Sequence, residues 1–274
     1  MNYDKMYGLL GKSLGHSFSK DYFTKKFSEL NLDYSYQNIE LENISDIIPF
    51  IKKNKNLKGF NVTIPYKEEI IPFLDEVDLT AKEVGAVNTV KIEDGKLIGF
   101  NTDVVGFKKL LDKTPSHQVT KSPSLIFGSG GASKAVQYVL NKKGIPYKIV
   151  SRAFKLGMRN EELGIRNEEL GMRNEELGIS YEELGISYEE LNITGFEPYS
   201  IIINTTPVGM YPNVNECLEL PYSTANEQMV FIDLIYNPEE TLFMKKGKAQ
   251  GAATYNGMTM LHEQAEAAWE IWRS

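Results

Sequence analysis

Ser124-Leu125-Ile126-Phe127-Gly128-Ser129-Gly130-Gly131-Ala132-Ser133 decides the fold. Its first four residues are a short apolar run of strand length, followed by a turn of small residues. Ala135, Val139 and Leu140 then recur at helical spacing, Gly144 ends the helix, and Tyr147–Val150 is the next apolar strand. A strand, glycine turn, helix and strand in this order bring bare backbone N–H groups to a pyrophosphate at a helix start. Gly128, Ser129, Gly130, Gly131 and Ala132 are therefore candidate cofactor ligands. In such a unit, an acidic residue closing the second strand binds the ribose 2′-hydroxyl of NAD. Here the strand runs into Ser151-Arg152, and an arginine suits a 2′-phosphate instead. A solvated arginine at a strand end is the alternative.

Working outward, the first hundred residues alternate strands and helices. Tyr7–Leu10 is apolar, Phe23, Phe27 and Leu30 share a helical face, Tyr34–Leu41 alternates, and Ile44–Ile51 is helical. Gly59–Ile64 is a strand stopped by Pro65, which suits the first turn of a following helix. Val87–Ile92 and Lys96–Phe100 flank Glu93-Asp94-Gly95, a hairpin signal. Ser200–Asn204 and Met229–Leu234 add buried strands. A last helix over Met258–Trp272 sets Leu261, Ala265, Ala268, Trp269 and Trp272 on one face, suited to returning to the first domain. The expected class is α/β: an N-terminal α/β substrate domain (1–103, completed by 257–274) and a Rossmann-like, doubly wound nucleotide-binding domain (104–256).

Between these elements the chain repeats itself: LGMRNEE, LGIRNEE, LGMRNEE, LGISYEE, LGISYEE from Leu156 to Glu190. A coiled coil needs apolar positions three and four apart, whereas here they stand two apart around a glycine. The repeat reads as a tolerated surface insertion over about 156–190. Its ten Glu and three Arg carry all of the net charge of −7 and leave the rest of the chain neutral. No basic stripe points to nucleic acid, and no run reaches the roughly 18 apolar residues of a membrane span. Cys217 is the one cysteine, and His16, His117 and His262 lack metal-ligand spacing. MNYDKMYGLL lacks the apolar core of a secretory signal. A cytoplasmic protein acting on small molecules is expected, as monomer or homodimer and without a metal.

Four segments carry candidate chemistry. Ser17 and Ser19 precede a helix, where hydroxyls and free N–H groups suit a carboxylate; simple capping is the alternative. Asn61 and Thr63 leave one face of their strand together. Lys67 falls in the expected first helical turn, whose positive dipole end would weaken its hold on a proton, as general acid–base work needs; a solvated lysine is the alternative. Asp103 caps the helix from Val104, orients Lys67 or receives a substrate hydroxyl proton.

Taken together, HSFSKDYF, GFNVTIPYKE, VGAVNT, GFNTDVVGF, FGSGGAS, VSR, INTTPVGM, DLIYNP and NGMTMLHEQA resemble the shikimate dehydrogenase family, in family order along the chain. The resemblance implies NADPH-dependent reduction of 3-dehydroshikimate, with Lys67 and Asp103 as the catalytic pair. It assigns the substrate carboxylate to Ser17 and Ser19, helped by Tyr236, and the ring hydroxyls to Thr63, Asn88 and Gln264, with Asn61 close by. It gives NADP to Gly128–Ala132 and Arg152, and the nicotinamide region to Thr205, Leu234, Gly257 and Met260. The chain departs from the family where Ser151-Arg152-Ala153 replaces Asn-Arg-Thr. Two rival readings are a quinate/shikimate dehydrogenase using NAD and a non-catalytic interaction protein working through its heptads.

Overall fold

The computed structural model describes residues 3–15, 18–114, 122–151 and 185–274. It divides into two compact units, Met1–Gly106 with His262–Ser274, and Phe107–Leu261.

The first unit is built on a mixed six-stranded sheet. Its elements are β1 (Lys5–Gly11), α1 (Phe18–Glu29), β2 (Tyr34–Glu40), α2 (Ile47–Lys53), β3 (Leu57–Val62), β4 (Glu76–Val77), α3 (Leu79–Val84), β5 (Thr89–Glu93) and β6 (Lys96–Phe100). The strand order is β2-β1-β3-β5-β6-β4; β1 runs parallel to β2 and β3, β5 runs antiparallel to its neighbours β3 and β6, and β4 runs parallel to β6. Alternation along β1 sends Met6 and Leu10 into one core with Ile47, Phe60 and Val90. It sends Tyr7 into another with Phe23, Phe27, Ala265, Trp269 and Trp272. The latter residues come from the C-terminal helix, which thus returns to the first unit as the sequence predicts. Gly59 makes that docking possible, since a Cβ there would collide with the Trp272 indole. In its place the indole nitrogen donates to the Val90 carbonyl at 3.0 Å.

The second unit follows α4 (Asp103–Asp112). It contains β7 (Ser124–Phe127), α5 (Gly131–Lys142), β8 (Tyr147–Val150), β9 (Gly185–Ile186), α6 (Tyr188–Thr194), β10 (Ile201–Asn204), β11 (Val230–Asp233), α7 (Leu242–Lys248), β12 (Ala253–Tyr255) and the start of α8 (Met258–Arg273). Among the described residues all five strand pairings are parallel, in the order β9-β8-β7-β10-β11-β12. Strands 7, 8 and 9 run outward one way and 10, 11 and 12 the other, the doubly wound order of dinucleotide-binding sheets. Strands buried on both faces read as continuous apolar runs, and SLIF, IIIN and VFID are fully buried.

The expected insertion boundary at 190 needs correction. Gly185 and Ile186 of the last heptad form β9, paired to Ile149 and Val150. Ser187 caps α6 by accepting the Glu190 N–H at 3.1 Å, and Ile186 and Leu191 lie in the core. Leucine, isoleucine, a capping serine and an acidic first turn happen to spell a short strand and a helix start. Residues 152–184, which hold the rest of the repeat, lie outside the described residues.

Residues 177–183 have the same seven-residue sequence as 184–190. Deleting 177–183 therefore leaves β9 and its cap intact, and the unfolding free energy should hold within about 0.5 kcal/mol. Deleting 163–190 instead puts Met158, Arg159 and Asn160 where Ile186, Ser187 and Tyr188 stand. That should cost about 1–2 kcal/mol, mostly through the lost cap. Urea unfolding of both variants measures the difference, and equal stability would show that the last heptad adds nothing.

Candidate active site

β3 ends at Val62, and the Thr63 N–H bonds back to the Leu10 carbonyl at 2.9 Å. Residues 64–70 form a run of turns rather than the predicted helix, so no helix dipole acts on Lys67. The segment is pinned instead by the Lys67 carbonyl, which accepts the Val87 N–H at 2.7 Å. Downstream of β6, Asn101 does the capping: its Oδ1 accepts the Val104 N–H at 3.3 Å and its amide donates to the Ala86 carbonyl. Asp103 is thereby left for Lys67. The two meet at 2.6 Å, with side chains 16% and 7% exposed. A charge pair this sheltered costs desolvation on both sides, which makes it weak as a stabilising device and a marker of function.

Beside the pair runs a chain of buried polar side chains. Tyr36 donates to Asn61 Oδ1 at 2.8 Å, and the Asn61 amide donates to Thr89 Oγ1 at 3.1 Å. Asn88 accepts the Thr102 N–H at 2.7 Å and donates to Thr102 Oγ1 at 3.0 Å. Asn61 and Asn88 are thus held by their neighbours and cannot swing freely. Ser19 is buried in the first turn of α1, Thr63 is half-buried, and Gln264 is buried on the stretch of α8 in this same unit. Ser17 and Arg152 lie outside the described residues.

In the second unit, the glycine turn sits between β7 and α5 as predicted. Gly128 has φ +105°, and a Cβ there would meet Thr205 Oγ1 at 2.7 Å. Thr205 leaves the end of β10, and its N–H and hydroxyl both bond to the Phe127 carbonyl, at 3.0 and 2.6 Å. β7 and β10 flank the point where strand order reverses, which is where ligands bind in such sheets. Ser129 and Gly130 are exposed, with open space beside Gly130, and no side chain caps α5. Its first N–H groups are left for an anion, so the turn fits a dinucleotide pyrophosphate. Ser151 directly follows β8. Leu234 and Gly257 touch: a Cβ on Gly257 would collide with the Leu234 carbonyl, and the Gly257 N–H bonds to the Ile235 carbonyl at 3.0 Å. Tyr236 is half-buried two residues beyond Leu234, and burial raises its phenol pKa. Met260 is buried in the first turn of α8.

The shikimate dehydrogenase substrate binding domain model matches residues 9–90. A shikimate dehydrogenase (NADP(+)) of Methanococcus maripaludis is 40% identical over 273 residues, covering 98% of this chain and 91% of that protein. The chain belongs to the shikimate dehydrogenase family. Among solved members, a shikimate dehydrogenase in complex with NADP+ superposes with a TM-score of 0.80 at 37% identity, covering 98% of this chain and 89% of the other. The Thermus thermophilus enzyme in complex with NADP(H) and shikimate gives 0.76 at 27%, covering 98% and 91%. Among the described residues, no helix is long and apolar enough to cross a membrane.

Sequence reading misses two sets of residues in this family member. One is Tyr36, Thr89 and Thr102, which find partners in segments distant along the chain. The other centres on Asp233, which ends the apolar run VFID and is fully buried. Its carboxylate accepts from Asn204 Nδ2 at 3.1 Å, the Ile235 N–H at 3.0 Å and the Thr241 hydroxyl at 2.6 Å. It thereby ties the ends of β10 and β11 to the start of α7. A charged residue closing a buried strand is the signal that could have found it.

Burial pushes the Asp233 pKa up to about 6 against the pull of its three donors. A raised carboxyl pKa favours folding where the group is protonated, and that contribution is lost as pH rises from about 4 to above 6. Asp233→Asn removes this titration. Measured by urea unfolding, the variant should gain about 2 kcal/mol on the wild type between pH 4.5 and pH 7.5. A stability difference equal at both pH values would contradict it.

Proposed function

We propose that this chain catalyses the reversible, NADPH-dependent reduction of 3-dehydroshikimate to shikimate. The observation that carries the reading is the sheltered Lys67–Asp103 pair at 2.6 Å, set beside the fixed Asn61–Asn88 chain. When bound, NADPH supplies the hydride. Lys67 delivers the proton to the oxygen of the carbonyl being reduced and takes it back in the oxidation. Asp103 holds the Lys67 ammonium in place and accepts a hydrogen bond from the same substrate hydroxyl. Thr63, Asn88 and Gln264 receive the ring hydroxyls, with Asn61 behind them. Ser17 and Ser19 donate to the substrate carboxylate, and Tyr236 assists.

Cofactor binding falls to the second unit. Gly128–Ala132 offer backbone N–H groups to the pyrophosphate, with Ser151 and Arg152 toward the 2′-phosphate. Thr205, Leu234, Gly257 and Met260 line the nicotinamide. A domain boundary near residues 103–106 and a return near 257–262 divide the two tasks. Arg152 disfavours an NAD-dependent quinate enzyme by replacing the acidic residue that NAD would use. The last heptad, built into β9 and α6, disfavours a repeat kept only for interaction. The enzyme acts on small molecules in the cytoplasm, as monomer or homodimer.

The test is absorbance at 340 nm with shikimate and NADP. The wild type should reduce NADP in preference to NAD. Lys67→Ala should lower kcat by about 100-fold or more with little change in shikimate KM, since general acid–base groups contribute that much. Near-normal turnover in the folded variant would refute the reading.

A further inference from the structure

We infer that Asn204 is a positioning residue for the nicotinamide end of the cofactor, holding Thr205 and Thr206 against Gly128 through a hydrogen-bond chain rooted in Asp233. The inference rests on the cofactor reading proposed above. Asn204 is itself fully buried, so it acts only through its neighbours.

Phe127, Asn204 and Asp233 stand side by side as the last rung across β7, β10 and β11. The glycine turn, the loop from Thr205 to Val208, and Leu234 all leave from this rung. Ile201, Ile202 and Ile203 fill β10 below it with apolar side chains. A buried amide in such a place costs desolvation unless its polar atoms are paired. Asn204 Nδ2 donates to Asp233 Oδ1 at 3.1 Å. Asn204 Oδ1 accepts the Thr206 N–H at 3.0 Å and the Thr206 hydroxyl at 2.7 Å. Thr206 Oγ1 in turn accepts the Val208 N–H at 3.3 Å.

The orientation of this amide is fixed from both ends. A carboxylate can only accept and a backbone N–H can only donate, so a turned amide would set oxygen against oxygen and N–H against N–H. Asp233 keeps its own place through the Ile235 N–H and the Thr241 hydroxyl. With its hydroxyl turned to Asn204, Thr206 presents its methyl to the glycine turn. A Cβ built on Gly128 would meet Thr205 Oγ1 at 2.7 Å and Thr206 Cγ2 at 3.1 Å, so both threonines lie directly on the turn. One amide therefore sets how the 205–208 loop sits where the strand order reverses. An apolar residue of the same size would fill the space and leave the Thr206 N–H and hydroxyl without their acceptor.

The test is the binding of two probes to the full-length enzyme at about pH 8, where Asp233, with its pKa pushed up to about 6, is charged. One probe is NADPH, followed by its fluorescence. The other is adenosine 2′,5′-bisphosphate, which carries the adenosine end and no nicotinamide. Asn204→Leu should raise the NADPH Kd about tenfold, the scale of one hydrogen bond to a charged group. The bisphosphate Kd and the shikimate KM should stay within about twofold. Thr206→Val keeps the shape and the methyl and removes only the hydroxyl, and should raise the NADPH Kd about fivefold. Thr206→Ser keeps the hydroxyl and should stay within about twofold of the wild type. A lower melting temperature with an unchanged NADPH Kd in Asn204→Leu would overturn the inference, leaving Asn204 a purely structural residue. Equal weakening of both probes would overturn it too, because the whole unit would then have loosened. If Asn204→Leu does not fold, the two Thr206 variants decide, and equal Kd values for them contradict the inference. A wild type that binds no NADPH would instead sink the cofactor reading, an outcome separate from these.

Discussion

The Lys67–Asp103 pair is the interaction on which this structure turns. Its members stand 36 residues apart, one on a run of turns after β3 and one at the head of α4. Bringing two charges into such shelter costs several kcal/mol of hydration per ion, which their attraction repays only with good geometry. Hydrophobic replacement of such a pair is often neutral for stability. What the first unit gains is a charged lysine held at one place, in surroundings sheltered enough for its charge to act strongly. Several local features support that placement. The Lys67 carbonyl is bound to Val87, Asn101 relieves Asp103 of capping, and Asn88 locks Thr102 next to it.

The second unit solves a different problem with different materials. It must present N–H groups to an anion and keep side chains away. The parallel order produces a reversal between β7 and β10, and the chain supplies a left-handed Gly128 there, lying against Thr205. Behind this surface, Asp233 gathers Asn204, Ile235 and Thr241 around one carboxylate. Charge-assisted bonds of this kind are stronger than neutral ones. The loops carrying Thr205 and Leu234 thus rest on a fixed base.

Much of this is legible in the sequence because period and punctuation are local. SLIFGSGGAS announces its strand, turn and helix, and the alternation in Tyr34–Glu40 marks β2. The C-terminal helix shows its apolar face through Ala265, Ala268, Trp269 and Trp272. Six short elements, β4, α3, β9, α6, α7 and β12, escape because so brief a run shows no period and, unlike the four-residue strands SLIF and IIIN, none is a continuous apolar run between turn signals. The predicted helix after Pro65 fails for a related reason: proline at a helix start is permitted by geometry without being an instruction to form one. The heptads mislead more thoroughly. Repetition suggests material outside the fold, yet Ile186, Ser187 and Leu191 of the final copy and its junction complete a sheet edge. The buried polar chains through Tyr36 and Asp233 are the least legible part. A tyrosine in a strand acquires meaning only when Asn61 is brought to it from elsewhere in the chain.

The central claim is that Asp103 works with Lys67 on the proton of the substrate hydroxyl and does more than hold the fold. Asp103→Asn keeps the shape and removes the charge, so its steady-state kinetics with shikimate and NADP test this most directly. The expected result is a kcat lower by about 100-fold with NADP KM unchanged, in a protein that stays folded. Turnover at the wild-type rate would contradict the account.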